Sequence, residues 1–212
     1  MNHELEVSRP SAGDPAGGEE AGSHRTFATR PDFRPAFLTV DGLALRIAIQ
    51  GVRGSFHEIA ARQFFGRDVR IVPALSFPEL FRKTADPAQA DAAILAIENS
   101  IAGSILGNYK LLLHSDLQVV GEVHLPIRQN LLALPGVTLG DLREVHSHPM
   151  ALAQCADFFQ QHPRIRLVES DDTAESAARI ARRRARHIGA IASALAAEYY
   201  GLNVLAPAIE TR

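Results

Sequence analysis

The chain has 212 residues, 46% hydrophobic and 22% charged, with a formal net charge of −2, the make-up of a globular protein long enough to bury a real core. That balance excludes the basic field that nucleic acid or an anionic membrane surface would call for, and apolar runs such as residues 92–97 fall far short of the roughly 20 residues of a membrane span. The single cysteine, Cys155, excludes an internal disulfide framework and a cysteine-based zinc site; inside a helical pattern it reads as a small buried apolar residue.

Residues 1–42 mix Pro10, Gly13, Pro15, Gly17 and Gly18 with acids and serines, and without apolar periodicity they read as a disordered N-terminal tail. The stretch lacks the apolar centre of a secretory signal and carries acids that organellar transit peptides avoid, so a cytoplasmic location is expected. From Leu45 onward, short apolar runs alternate with helical patterns, the signature of an α/β protein. Strands are expected near 45–50, 69–72, 92–97, 117–123, 131–134, 142–146, 165–168, 187–191 and 203–205. Helices are expected over 56–65, from the Ser76 cap through Phe81, over 104–113, from Pro149 to about 161, over 173–184, and from the Ser193 cap to Gly201.

Four corners carry the most information: 51–55, 98–100, 147–149 and 170–173. At each, a strand ends in small or polar residues and a helix begins at once. Ligands of open α/β sheets bind outside the carboxyl ends of strands, and unpaired N–H groups at helix starts favour anions. Several such corners facing one cleft would hold a small, multiply anionic ligand. Taken singly, Ser147, Ser170 and Thr173 serve equally well as caps, and Gly51 with Gly54 matches no nucleotide fingerprint. The histidines at 114, 124, 146 and 148 show no metal-ligand spacing. Glu98, a charge directly after a buried run, needs a partner or a task.

The blocks Gly51-Val-Arg-Gly-Ser-Phe56, Ala96-Ile-Glu-Asn-Ser-Ile-Ala-Gly-Ser104, Gly121-Glu-Val-His-Leu-Pro-Ile127 and Ser147-His-Pro-Met-Ala-Leu-Ala-Gln-Cys155, followed by Asp172-Thr-Ala174 and residues 190–206, resemble in order those of prephenate dehydratases and the related arogenate dehydratases. The resemblance implies a two-lobe α/β fold like that of periplasmic binding proteins, with the site in the cleft. Lobe 1 would cover 46–121 and lobe 2 122–206, with 207–212 beginning a return to lobe 1. The implied reaction removes the ring hydroxyl as water and the ring carboxylate as CO₂, turning prephenate into phenylpyruvate for phenylalanine synthesis with no metal or redox cofactor. Prephenate would be the small-molecule partner, and the assembly a homodimer or homotetramer.

By the same resemblance Glu98, Asn99, Ser100 and Gln154 are the catalytic candidates, and Ser55, Gly103, Ser147, His148 and Thr173 the substrate-binding ones. The sequence departs from the family pattern in Lys110, which stands where an Asp is usual, and in Met150, which replaces a common Gln. The family's Thr-Arg-Phe motif after the last strand is not found, so a truncated chain is expected, with no amino-acid-binding regulatory domain. Arogenate as substrate, or a non-catalytic small-anion binder of the same fold, are the alternatives.

Overall fold

The computed structural model describes residues 2–10, 44–99 and 103–211. The first sheet contains β1 (Asn2–Pro10), β2 (Arg46–Gln50), β3 (Arg70–Ala74), β4 (Ala92–Asn99), β5 (Gly103–Ser104) and β6 (Leu117–Pro126), ordered β3-β2-β4-β1-β6 with β5 added against β4. Strand β1 runs antiparallel to β4 and β6, while β2 is parallel to β3 and β4. The second sheet, ordered β11-β7-β10-β8-β9, contains β7 (Asn130–Ala133), β8 (Glu144–Ser147), β9 (Arg166–Glu169), β10 (Ile188–Ala192) and β11 (Asn203–Ala206). Helices α1 (Phe56–Phe65), α2 (Phe77–Ala85) and α3 (Leu106–Leu113) go with the first sheet. Helices α4 (Pro149–Gln154), α5 (Ala156–Gln160), α6 (Thr173–Arg183) and α7 (Ala194–Tyr200) go with the second.

Each lobe has its own core. Residues 92–97 of β4 are all buried, because helices cover both faces of the strand and a doubly covered strand needs an unbroken apolar run. Ile47, Ile49 and Ile94 pack with Ala60, Ala61 and Phe65 of α1. On the opposite face, Ala48, Ala93 and Leu95 pack with Leu80 and Phe81 of α2. The second lobe buries Leu131, Leu132, Val145 and Ile191 with Ala174, Ala177 and Ile180 of α6. Cys155 lies in this core with no exposed surface, and burial, with Glu210 nearby, pushes its thiol up to about 12.

Three expectations change. Residues 2–10, read as tail, form β1 between β4 and β6; the alternation Glu4-Leu5-Glu6-Val7-Ser8 has the period of a strand, and residues 11–43 lie outside the described residues. Strand β6 stays in the first sheet through Pro126, so the chain changes lobes between Pro126 and Asn130 and not at 121–122. The helix expected over 149–161 breaks at Cys155, whose N–H is shared among carbonyls of the preceding turn.

The caps expected at Ser76 and Ser193 are present, whereas α6 is capped by Asp172 and not by Ser170 or Thr173, and α4 by His148 and not by Ser147. Ser55, Ser76, Asp172 and Ser193 each accept a hydrogen bond from the backbone N–H three residues on, satisfying a donor that the helix leaves unpaired. The corner at 51–55 also joins the lobes. Ser193 donates to the Gly54 carbonyl at 2.6 Å, and Tyr199 donates to Oε1 of the fully buried Glu58 at 2.7 Å. Glu58 further accepts from Gly54 N–H and from Arg62.

Candidate active site

A cavity of about 370 Å³ opens between the lobes. Lobe 1 contributes Gln50 at the end of β2, Asn99 at the end of β4, and Ser55, Phe56 and His57 at the start of α1. Lobe 2 contributes Gln129, His148, Met150, Gln154 and the segment Asp171, Asp172, Thr173 at the start of α6. Phe56, Phe77, Ile105, Ile127 and Met150 give the cavity an apolar wall, the usual lining of a small-molecule pocket.

The sequence-derived candidates divide accordingly. Asn99 and Gln154, each 6% exposed, face this one cavity from different lobes, and Ser55, His148 and Thr173 share it. Glu98 does not line it. The register of β4 against β1 shifts between Glu4 and Leu5, so that Ile97 is an extra residue; such a bulge resets the alternation of a strand and puts Asn99 on the side of Ala96. Ser147 is not at the cavity either: fully buried, it donates to the Ile191 carbonyl at 2.7 Å and ties β8 to β10. Gly103 is an exposed residue of β5 paired with Asn99, not a wall of the cavity. Ser100 lies outside the described residues.

Gln154 is held by a network that sequence reasoning missed. Gln129 Nε2–H donates to Gln154 Oε1 at 3.2 Å, and the backbone N–H of Gln129 donates to Glu210 Oε2 at 2.8 Å. Glu210 also pairs with Arg128 at 3.0 Å, and Thr211 N–H donates to the Gln154 carbonyl at 2.7 Å. The segment after β11 therefore fixes the floor of the cavity. Gln129 Oε1 is buried without a hydrogen-bond partner.

The electrostatics also qualify the expectation that several helix starts facing one cleft would hold an anionic ligand. At α6 that place is already taken by a carboxylate: Asp172 Oδ1 accepts from Glu175 N–H at 2.7 Å. Burial raises the Asp172 carboxyl above the ordinary range, against the lowering effect of the Glu175 and Ala174 backbone N–H groups. At α4, His148 Nδ1 accepts from Met150 N–H at 3.2 Å, which leaves a neutral ring its proton on Nε2. Among the described residues on the wall, the carboxylates are Asp171 and Asp172, beside the imidazoles of His57 and His148.

A family model described as prephenate dehydratase matches residues 47–212. The chain belongs to the prephenate dehydratase family. Arogenate dehydratase 2 of Petunia hybrida is 44% identical over 173 residues, which are 82% of this chain and 43% of that protein; the chain spans less than half the length of this curated relative. The crystal structure of a prephenate dehydratase from Arthrobacter aurescens in complex with L-Phe superposes with a TM-score of 0.72 at 31% identity, covering 79% of this chain and 56% of that one. GqqA, described as a novel type of quorum quenching acylase, superposes with a TM-score of 0.71 at 34% identity, covering 78% and 59%. The two mixed sheets around one cleft are thus the architecture of the prephenate dehydratase family.

Proposed function

We propose that the protein is a decarboxylating dehydratase of a prephenate-type cyclohexadienol, acting on prephenate or arogenate in phenylalanine biosynthesis. The reading rests above all on one observation: the buried amides of Asn99 and Gln154, carried by opposite lobes, line a single cavity with an apolar wall. In the reaction the C–CO₂ bond breaks and its electron pair enters the ring. The C–O bond breaks in turn, and the hydroxyl leaves with a proton as water. Aromatisation drives the process, so the protein's task is to hold the carboxylates, align the C–CO₂ bond with the ring π system and place donors where charge develops. Asn99 and Gln154 supply amide donors from the two sides. Ser55 and Thr173 supply hydroxyls; the Ser55 oxygen accepts from Glu58 N–H, which leaves its own proton to give.

The test is turnover of both substrates by the full-length protein. Asn99→Ala and Gln154→Ala are each expected to lower kcat/KM by about 10²-fold or more, the range for loss of one preorganised donor. Absence of turnover in the unaltered protein, with tight binding retained, would replace this reading with that of a non-catalytic binder. Unchanged kinetics in both variants would remove the two amides from the site.

A further inference from the structure

We propose that Glu58 is a positioning residue for Ser55 and that the Tyr199 hydroxyl of α7 acts through it, so that the second lobe sets the aim of a hydroxyl carried by the first. The proposal deepens the dehydratase reading and rests on it. Ser55 is 3% exposed at the wall of the cavity, and its hydroxyl, which accepts from Glu58 N–H, keeps a proton to give. A donor aimed at developing charge must be held to within about 0.5 Å, so whatever holds Ser55 bears on turnover.

Glu58 grips Ser55 from two directions. Its backbone N–H donates to Ser55 Oγ at 3.3 Å, and its Oε2 accepts from Gly54 N–H at 2.8 Å. Its Oε1 accepts from the Tyr199 hydroxyl at 2.7 Å and from Arg62 Nη2–H at 2.7 Å. The same turn of α7 reaches the neighbouring residue: Tyr200 donates to the Arg53 carbonyl at 2.6 Å, and the Arg53 guanidinium lies 4.4 Å from the centre of the Tyr199 ring. The peptide that leads into Ser55 is tied at both ends, its C=O by Ser193 at 2.6 Å and its N–H by the Val52 carbonyl at 3.2 Å.

Helix α2 shows that a cap alone needs less than this. It repeats the same spacing: Ser76 Oγ accepts from Glu79 N–H at 3.3 Å, and Glu79 Oε2 accepts from Leu75 N–H at 2.7 Å. Glu79 also pairs with Lys83 at 2.9 Å, as Glu58 does with Arg62. Yet the Glu79 side chain stays 22% exposed, and its partners among the described residues belong to the first lobe. The Glu58 side chain is wholly buried, and a carboxylate taken out of water is costly unless its oxygens are well paired. What α1 has beyond a cap is the bond from Tyr199, and that bond leads from α7 to Ser55.

Steady-state kinetics of the full-length protein test this, with Tyr199→Phe, Glu58→Gln and Ser55→Ala as variants and Glu79→Gln as the control. Y199F removes one hydroxyl and keeps the Glu58–Arg62 pair, so it carries the test should E58Q fail to fold. S55A is expected to lower kcat by about 10²-fold, the range for one preorganised donor. Y199F is expected to lower kcat about tenfold with KM changed less than about threefold, the pattern of an interaction made in the transition state. E58Q is expected to lose at least as much, and E79Q to leave both constants unchanged. Added to S55A, Y199F is expected to cost less than about twofold, because residues that act as one unit do not multiply their effects. A Y199F kcat within about twofold of the unaltered protein, or the full loss repeated on S55A, overturns the proposal. If neither prephenate nor arogenate turns over, the dehydratase reading fails. Hydrogen exchange of the Gly54 and Glu58 amides then decides the coupling: faster exchange in Y199F but not in E79Q supports it, and unchanged exchange in Y199F overturns it.

Discussion

Asp172 carries opposing demands within one side chain. Its carboxylate caps α6, which favours the charged form, yet burial outweighs this and raises its pKa. A carboxyl whose folded pKa lies above its unfolded value binds its proton more tightly in the native state. Stability from this group is therefore greatest below the ordinary carboxylate range and is lost as pH rises through the shifted pKa. An asparagine introduced by Asp172→Asn would keep the cap without the titration. D172N is accordingly expected to gain on the native protein in urea midpoint as pH rises from about 4, where an Asp ordinarily begins to ionise. A midpoint difference independent of pH would show that Asp172 is not held against ionisation.

At the scale of strands and helices, the sequence was most legible where one local signal sufficed. The apolar run of β4, the serine caps of α2 and α7, and Gly201 closing α7 with φ +63 each follow from a few neighbouring residues. Pairing between distant segments was less legible. Asn99 could be placed by its motif, but whether Asn99 or Glu98 faces the cavity depends on the irregular register of β4 with a strand from the far N-terminal end of the chain. Gln129 carried no local signal, since its role comes from Gln154 and Glu210. Strand β1 was obscured by the Gly- and Pro-rich stretch that follows it. Because β1 lies between β4 and β6, removing residues 2–10 would leave facing strand edges unpaired in the first sheet, a known route to aggregation. Deletion is expected to abolish hydrogen-exchange protection in β6 while sparing β7 and β10. Protection of β6 equal to that of the intact chain would mean that β1 does not pair there.

For the molecule as a whole, the corner at Gly54 holds the two lobes together beside the cavity, so that a ligand gripped from both lobes would feel a change there. Gly54 has φ +86, a backbone state that costs a residue with a side chain roughly 1–2 kcal/mol, and a Cβ there would lie 2.8 Å from the Ala196 Cα of α7. Backbone cannot yield as a side-chain tip can, so the added methyl must wedge the lobes apart. It would also strain the bonds from Ser193 to Gly54 and from Tyr199 to Glu58, which close the same side of the cleft. Gly201→Ala supplies the control: φ there is also positive, at +63, but a Cβ meets nothing within 4 Å. Both variants are expected to lose about 1–2 kcal/mol in chemical denaturation, with Gly54→Ala losing more because of the clash. Calorimetry should separate them, since Gly54→Ala is expected to weaken substrate or product binding at least tenfold while Gly201→Ala leaves it unchanged. Equal binding by the two variants would show that the cavity does not depend on lobe approach at this corner, and that the Gly54 contact serves stability alone.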